Sequence, residues 1–237
     1  MNTFDTFISS LDRRLEPQVQ THLKKVYSTL AMSVLSAGVG GYVHLYTSLS
    51  NVIGGFLNFI VMTGLLIALY STPDNGKNQA LRLNYLLGFS FFSGFGLGPL
   101  IEHTLYINPS ILPTALMATA LIFACFTISA IYGDRRKTLF YGGILFSGLS
   151  LLAYMTLINL FFRSQLMYKA YVYIAFAIMC GFVIYDTAFI IEKRLRGDTD
   201  YIGHSILLFM DMISIFRHLL VLLTDKERND RRKRNRN

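Results

Sequence analysis

Residues 181–191 read GFVIYDTAFII and place one acid, Asp186, in the middle of an apolar run. An ionised carboxylate at the centre of a membrane helix costs at least about 2.5 kcal/mol, so ionisable residues in such positions are rare and usually functional. Asp186 is therefore a candidate functional residue, and a partner for it is expected elsewhere in the chain.

The composition predicts a polytopic membrane protein. Of the 237 residues, 53% are hydrophobic and only 15% are charged, whereas a soluble domain usually carries about 25% charged residues. The charges gather in short clusters between long uncharged stretches, which is typical of a chain that crosses a bilayer several times. We expect no separate soluble domain.

Seven apolar segments have the roughly 20 residues that a helix needs to cross a bilayer. The sequence therefore predicts an all-α membrane protein, a seven-helix transmembrane bundle. We expect a cytoplasmic N-terminal segment at 1–25, the transmembrane domain at 26–223 and a basic C-terminal tail at 224–237. Glycine-rich patches at 94–100 and 141–150 are expected to let helices approach closely. The seven segments lie near 26–46, 52–72, 81–105, 111–132, 139–161, 170–192 and 202–223.

The distribution of basic residues predicts a cytoplasmic N-terminus. Lysines and arginines cluster before the first segment and after the second, fourth and sixth, which satisfies the positive-inside rule. The tail breaks this pattern, because seven of the 22 basic residues fall in the last twelve positions. Either the last segment is re-entrant or tilted, or the tail is translocated. We expect the tail to contact anionic lipid and not nucleic acid.

A second isolated acid, Asp211, lies in the apolar run ILLFMDMISIF at 206–216. The point midway between Asp186 and Asp211 falls near residue 198, inside a turn sequence. A hairpin at that turn would place both acids roughly 15–18 Å from it on neighbouring antiparallel helices. The alternative is that each acid separately contacts hydroxyl groups such as those of Thr187 or Ser214.

Paired carboxyl groups have a defined chemistry in a low-dielectric environment. The two cannot easily both ionise, so they tend to share a proton and to titrate as a unit. Losing that proton makes the helices repel and offers two anionic ligands to a cation such as calcium. The pair Asp186 and Asp211 is thus predicted to be a pH-sensing dyad on an ion path, with calcium and protons as permeant ions and no cofactor.

Two further charged residues are candidates for a supporting role. Arg217 follows Asp211 by six residues, and it is expected either to extend toward the membrane surface or to pair with an acid such as Glu102. The five histidines show no metal-binding spacing, so no metal site is predicted.

Several long motifs resemble the transmembrane Bax inhibitor motif family. The resemblance extends from about residue 22 to the basic tail. It implies a seven-helix fold around a central acid-bearing helix and a non-enzymatic role. The motifs are HLKKVY (22–27), GFGLGPLIE (94–102), NPSILPTA (108–115), GGILFSGLSLL (142–152), MCGFVIYDTAFIIEK (179–193) and GDTDYI (197–202).

The resemblance also implies a function and partners. Members are associated with the endoplasmic reticulum membrane, suppression of stress-induced cell death and a pH-sensitive calcium leak, and Bcl-2-type and stress-sensor membrane proteins are the implied partners. Bacterial relatives carry a di-aspartyl pH sensor, whose two acids match Asp186 in its YDT motif and Asp211. Animal members carry an additional acid where this chain has Leu207.

Three other functions are alternatives to the leak. An intramembrane aspartyl protease needs Gly-x-Gly before its second aspartate, and Asp211 follows LFM instead, so no enzyme is predicted. A non-conducting scaffold that regulates cell-death and calcium-handling proteins stays open. So does a proton-coupled cation exchanger.

Overall fold

The computed structural model describes residues 16–47 and 53–234, with the side chains of 135–137 left out. Every secondary-structure element in this part of the chain is an α-helix. In chain order, the helices are α1 (Pro17–Tyr46), α2 (Gly55–Ser71), α3 (Gln79–Gly96), α4 (Gly98–Ile107), α5 (Ile111–Tyr132), α6 (Arg135–Phe140), α7 (Gly142–Phe162), α8 (Gln165–Leu195) and α9 (Tyr201–Arg234). The predicted all-α membrane bundle is confirmed.

Five helices are long and apolar enough to cross a membrane, which is fewer than the seven predicted segments. They are α1, α5, α7 with the end of α6, α8 and α9. The predicted segment at 52–72 is the shorter apolar helix α2, which has 17 residues. Residue 52 itself lies outside the described residues.

The predicted span at 81–105 is wrong as a single helix. It divides into α3 and α4 at Leu97, and α4 starts at Gly98 with Pro99 in its first turn. Proline has no amide hydrogen and favours the first turn of a helix, so Pro99 separates the two helices.

Helices α8 and α9 form the centre of the bundle. Helix α8 packs against α9, α5, α7, α6 and α1, and α9 packs against α8, α1, α5, α4 and α3. Many of the most deeply buried side chains come from these two helices, among them Ile190, Ile191, Phe209, Ile215 and Leu220. The centre is thus a pair of acid-bearing helices, where the resemblance implied one.

The turn between α8 and α9 is a Schellman motif built on Gly197. The N–H of Gly197 donates to the carbonyl of Arg194, and the N–H of Asp198 donates to that of Lys193. Gly197 has a φ of +97°, a conformation that glycine adopts without strain. Asp200 then caps α9, since its Oδ1 accepts a hydrogen bond of 2.8 Å from the Gly203 N–H.

Helix α9 is one continuous helix of 34 residues, about 50 Å long at 1.5 Å per residue. It starts beside α1 and α3 and reaches the far end of the bundle, where Thr224 bonds Thr104 at 3.0 Å. It does not turn back, so the re-entrant alternative is wrong.

The predicted domain boundaries fall inside helices. The boundary between residues 25 and 26 lies within α1, and the boundary between 223 and 224 lies within α9. These boundaries mark where the composition changes within a helix. They do not mark the ends of the helices. Residues 1–15 of the N-terminal segment and 235–237 of the tail lie outside the described part of the chain.

Candidate functional site

The structure brings the carboxyl groups of Asp186 and Asp211 together. Asp186 lies nine residues before the end of α8 and Asp211 ten residues after the start of α9, so the hairpin places both at one depth. The two carboxyl groups are close enough to interact with each other. The sequence predicted that both acids lie at the same distance from the turn, and the structure has them there. The role of the pair in sensing pH stays a prediction.

The surroundings of the dyad are mostly apolar. Asp211 is 6% exposed, and its neighbours along α9, Leu208 and Phe209, are fully buried. Oδ2 of Asp211 is buried and has no hydrogen-bond partner among the described residues. Asp186 is partly buried. The pair therefore lies in a largely apolar part of the bundle, and a role in taking up a proton or a cation stays a prediction.

Arg217 and Glu102 are not brought to the dyad. Both side chains are exposed, and neither forms an ion pair with a described residue, so the pairing of Arg217 with Glu102 is not seen. Ser214, an alternative hydroxyl partner for the acids, uses its carbonyl to bond Nδ1 of His218 at 2.7 Å. A supporting role for Arg217 and Glu102 stays a prediction that no contact with the dyad supports.

A charged cluster that sequence reasoning missed closes the end of the bundle where α9 begins. Arg82 of α3 is 3% exposed, and its two terminal nitrogens donate to the two carboxylate oxygens of Asp200 at 2.8 and 2.6 Å. Asp74 adds a second carboxylate at 3.3 Å. In the sequence, Arg82 is one of the basic residues that follow the second apolar segment, and nothing marks it as buried. The nearest signal is an acid in the turn before α3, Asp74, and another in the turn before α9, Asp200.

Two histidines form a buried contact between α1 and α9 at the same end. Nε2 of His22 lies 2.8 Å from Nδ1 of His204, and both residues are 5% exposed. Asp198 is 3.8 Å from the other nitrogen of His204. Nothing in the sequence pairs these two histidines, and their contact arises from the packing of α1 against α9.

Comparison with known proteins assigns the family. The sequence profile described as "Inhibitor of apoptosis-promoting Bax1" matches residues 19–228. The chain is 45% identical to the Homo sapiens protein named Bax inhibitor 1 over 239 aligned positions, covering 99% of this chain and all of that protein. It is equally identical to "Probable Bax inhibitor 1" of Paralichthys olivaceus, covering 98% of this chain and all of that protein.

A more distant relative also matches most of the chain. Bax inhibitor 1 of Arabidopsis thaliana is 36% identical over 228 positions, covering 94% of this chain and 90% of that protein. The similarity therefore includes both central helices and the turn that joins them. The chain belongs to the Bax inhibitor-1 family.

Proposed function

We propose that this multi-pass membrane protein restrains stress-induced apoptosis and provides a pH-modulated calcium leak in the endoplasmic reticulum membrane. Membership of the Bax inhibitor-1 family supports the role in apoptosis. The contact between Asp186 and Asp211 in the central hairpin is the observation that supports the leak. The proposed role is non-enzymatic and uses no cofactor.

The dyad would act through electrostatic repulsion between α8 and α9. Two unit charges about 4 Å apart repel by about 4 kcal/mol at an effective dielectric constant of 20. A shared proton removes that repulsion and joins the two central helices. Its loss separates them and leaves two carboxylates facing the space between, where a calcium ion can be accepted.

Reconstitution tests this function directly. Purified protein in liposomes that contain a calcium indicator should admit calcium at a rate that changes with pH. Asp186→Asn and Asp211→Asn should each weaken that pH dependence, because an amide cannot take up or release the proton. Asp230→Asn, on the same helix but near the tail, is the matched control. An unchanged pH response in both dyad variants would contradict the sensor.

A non-conducting scaffold is the second candidate function, and one helix favours it. Helix α7 packs against α6 and α8 at the side of the bundle, and large apolar side chains on it, such as Ile144 and Leu160, are more than 60% exposed. Such a face suits Bcl-2-type or stress-sensor membrane proteins as well as lipid. A scaffold alone would admit no calcium to liposomes.

A proton-coupled cation exchanger is distinguished in the same assay. Its calcium uptake would follow an imposed proton gradient, whereas a leak would respond to pH without one.

The basic end of α9 and the tail beyond it are proposed to contact anionic lipid. Liposomes with and without phosphatidylserine test that contact.

A further inference from the structure

A basic pocket of about 400 Å³ lies at the end of the bundle where α1 begins and α8 ends. Residues from the start of α1 line it, together with Arg194 of α8 and Thr199 of the following turn. Three of the lining side chains are basic, those of His22, Lys25 and Arg194, and none of the described residues around the pocket is an acid. The pocket therefore gathers positive charge that its own walls do not neutralise.

The lysine and the arginine of the pocket have no carboxylate partner in the described part of the chain. Nη2 of Arg194 donates only a long hydrogen bond, of 3.4 Å, to Oε1 of Gln18. Nζ of Lys25 lies 5.7 Å from the centre of the Tyr201 ring, a cation–π contact that limits where the ammonium group can move. Arg194 is half-buried, so its charge is screened less than that of a fully exposed side chain.

The acids that flank Arg194 in sequence are engaged elsewhere. Glu192 accepts hydrogen bonds from Arg196 at 3.0 and 2.9 Å. Asp198 lies 3.8 Å from Nε2 of His204. The pocket is thus left with excess positive charge, which an anion from outside the chain can neutralise.

A buried imidazole and a helix end add to the site. His22 is 5% exposed and meets Nδ1 of His204 through its Nε2 at 2.8 Å, while its own Nδ1 has no hydrogen-bond partner among the described residues. With a proton on that nitrogen, the ring becomes a donor for a ligand in the pocket. The first turn of α1 contributes Pro17 and Gln18 to the wall and contains no acid, and Glu16 before it makes no side-chain capping bond. The positive end of the helix dipole is therefore also open to an anion.

This set of donors selects a phosphate group. An arginine presents two parallel N–H donors that match the oxygens of a phosphate, and a lysine adds a point charge. A carboxylate would balance one of the two cations, whereas a phosphate monoester carries about 1.5 to 2 negative charges at neutral pH. We propose that Arg194, Lys25 and His22 bind a doubly charged phosphate group, either free or as the monoester headgroup of a lipid. The positive-inside pattern assigns this end of the bundle to the cytoplasm, where soluble phosphates and lipid headgroups can both reach it.

Inorganic phosphate tests binding without a lipid. At neutral pH in detergent, sodium phosphate should raise the unfolding temperature of the wild type by about 2–4 °C above that in sodium chloride of equal ionic strength, and the rise should saturate. Arg194→Gln and Lys25→Gln should each lose most of this rise, because each removes a charge that holds the phosphate. In chloride, both variants should unfold within about 1 °C of the wild type, because neither change breaks an ion pair among the described residues.

Two further variants separate binding by the pocket from a general effect of phosphate. Lys169→Gln is the matched control, because it removes a lysine from a pocket at the other end of the bundle whose lining includes Asp225. This variant should keep the full rise. Arg194→Lys keeps the charge but loses the paired donors, so it should need a several-fold higher phosphate concentration for half of the rise.

Nanodiscs distinguish the two sources of phosphate. They contain either phosphatidic acid, a monoester, or phosphatidylglycerol, a diester. If the ligand is a lipid headgroup, mass spectrometry after extraction should find more phosphatidic acid on the wild type and on Lys169→Gln than on Arg194→Gln. A saturable rise with inorganic phosphate but equal retention of phosphatidic acid by all three would identify a soluble phosphate as the ligand. An equal rise in the wild type and Arg194→Gln, together with equal lipid retention, would overturn the site.

Discussion

Asp200 has two structural roles, carried by three hydrogen bonds. Its carboxylate accepts two hydrogen bonds from Arg82 and one from the Gly203 N–H, so it pairs a buried cation and caps α9. It lies in the turn before α9, outside the membrane-spanning helices. Burial alone would raise the pKa of Asp200, but the hydrogen bonds from Arg82 and Gly203 and the charge of Arg82 lower it below its ordinary value.

The variant Asp200→Asn should destabilise the protein near neutral pH. Asparagine also caps helices well, so the change removes the charge and leaves the cap. The buried guanidinium of Arg82 then loses a charge-assisted partner, at a cost of about 2 kcal/mol. Thermal unfolding in detergent at pH 7 measures this loss of stability. Asp198→Asn is the control, because the contacts of Asp198 with Lys193 and His204 are long, at 3.9 and 3.8 Å.

The same charge predicts the pH dependence of stability. The pKa of Asp200 is lower in the folded state than in the unfolded state. Ionised Asp200 therefore contributes fully to the stability of the fold above its unfolded-state pKa of about 4. This contribution is lost as the pH falls through the folded-state pKa. The stability difference between wild type and Asp200→Asn should therefore shrink as the pH is lowered below about 4. A difference that stays constant down to pH 2 would contradict this assignment.

At the scale of helices, α1 and α3 approach each other closely through two glycines. A Cβ atom added at Gly40 would overlap the carbonyl oxygen of Phe91, and one added at Gly94 would overlap that of Ala37. The two glycines therefore set the distance between the helices. The sequence indicated this for the patch at 94–100, while Gly40 carried no comparable signal.

The variant Gly40→Ala should destabilise the bundle by at least about 2 kcal/mol, because backbone atoms of α3 must move to admit the methyl group. Gly38→Ala is the matched control on the same helix. Its Cβ would meet nothing within 4 Å, and alanine favours a helix over glycine by up to about 1 kcal/mol. Thermal unfolding of both in one detergent gives the comparison. Equal stabilities would show that α1 and α3 are not held at this distance.

Local chemistry explains which helices could be predicted. The hairpin of α8 and α9 follows from two apolar runs separated by a glycine turn, and its symmetry about residue 198 places Asp186 against Asp211. The division of α3 from α4 also has a local cause, Pro99. The partner of Arg82 could not be predicted in this way, because Asp200 is 118 residues distant in sequence and meets it only through packing.

The whole molecule has two ends with the dyad between them, and basic residues lie at both. One end holds the start of α1, the Arg82 cluster and the turn at Gly197, with basic residues such as Lys25 and Arg194. The other holds the turn between α4 and α5, and there Lys169 at the start of α8 lines a pocket with Arg228. The distribution of charges leaves the side of the tail open. Helix α9 is continuous and, at about 50 Å, is longer than a hydrocarbon core of about 30 Å, so we expect the tail on the side of the membrane opposite the turn at Gly197.

Single-cysteine labelling tests this arrangement across a membrane. In a background of Cys125→Ala and Cys180→Ala, a cysteine replacing Lys77 should react with an impermeant maleimide from one side of sealed vesicles. A cysteine replacing Arg232 should react only from the other side, together with one replacing Ser110. The positive-inside pattern assigns Lys77 to the cytoplasm. Labelling of the Arg232 position from the Lys77 side would contradict a full crossing by α9, and detergent-opened vesicles, in which all three positions should react, control for accessibility.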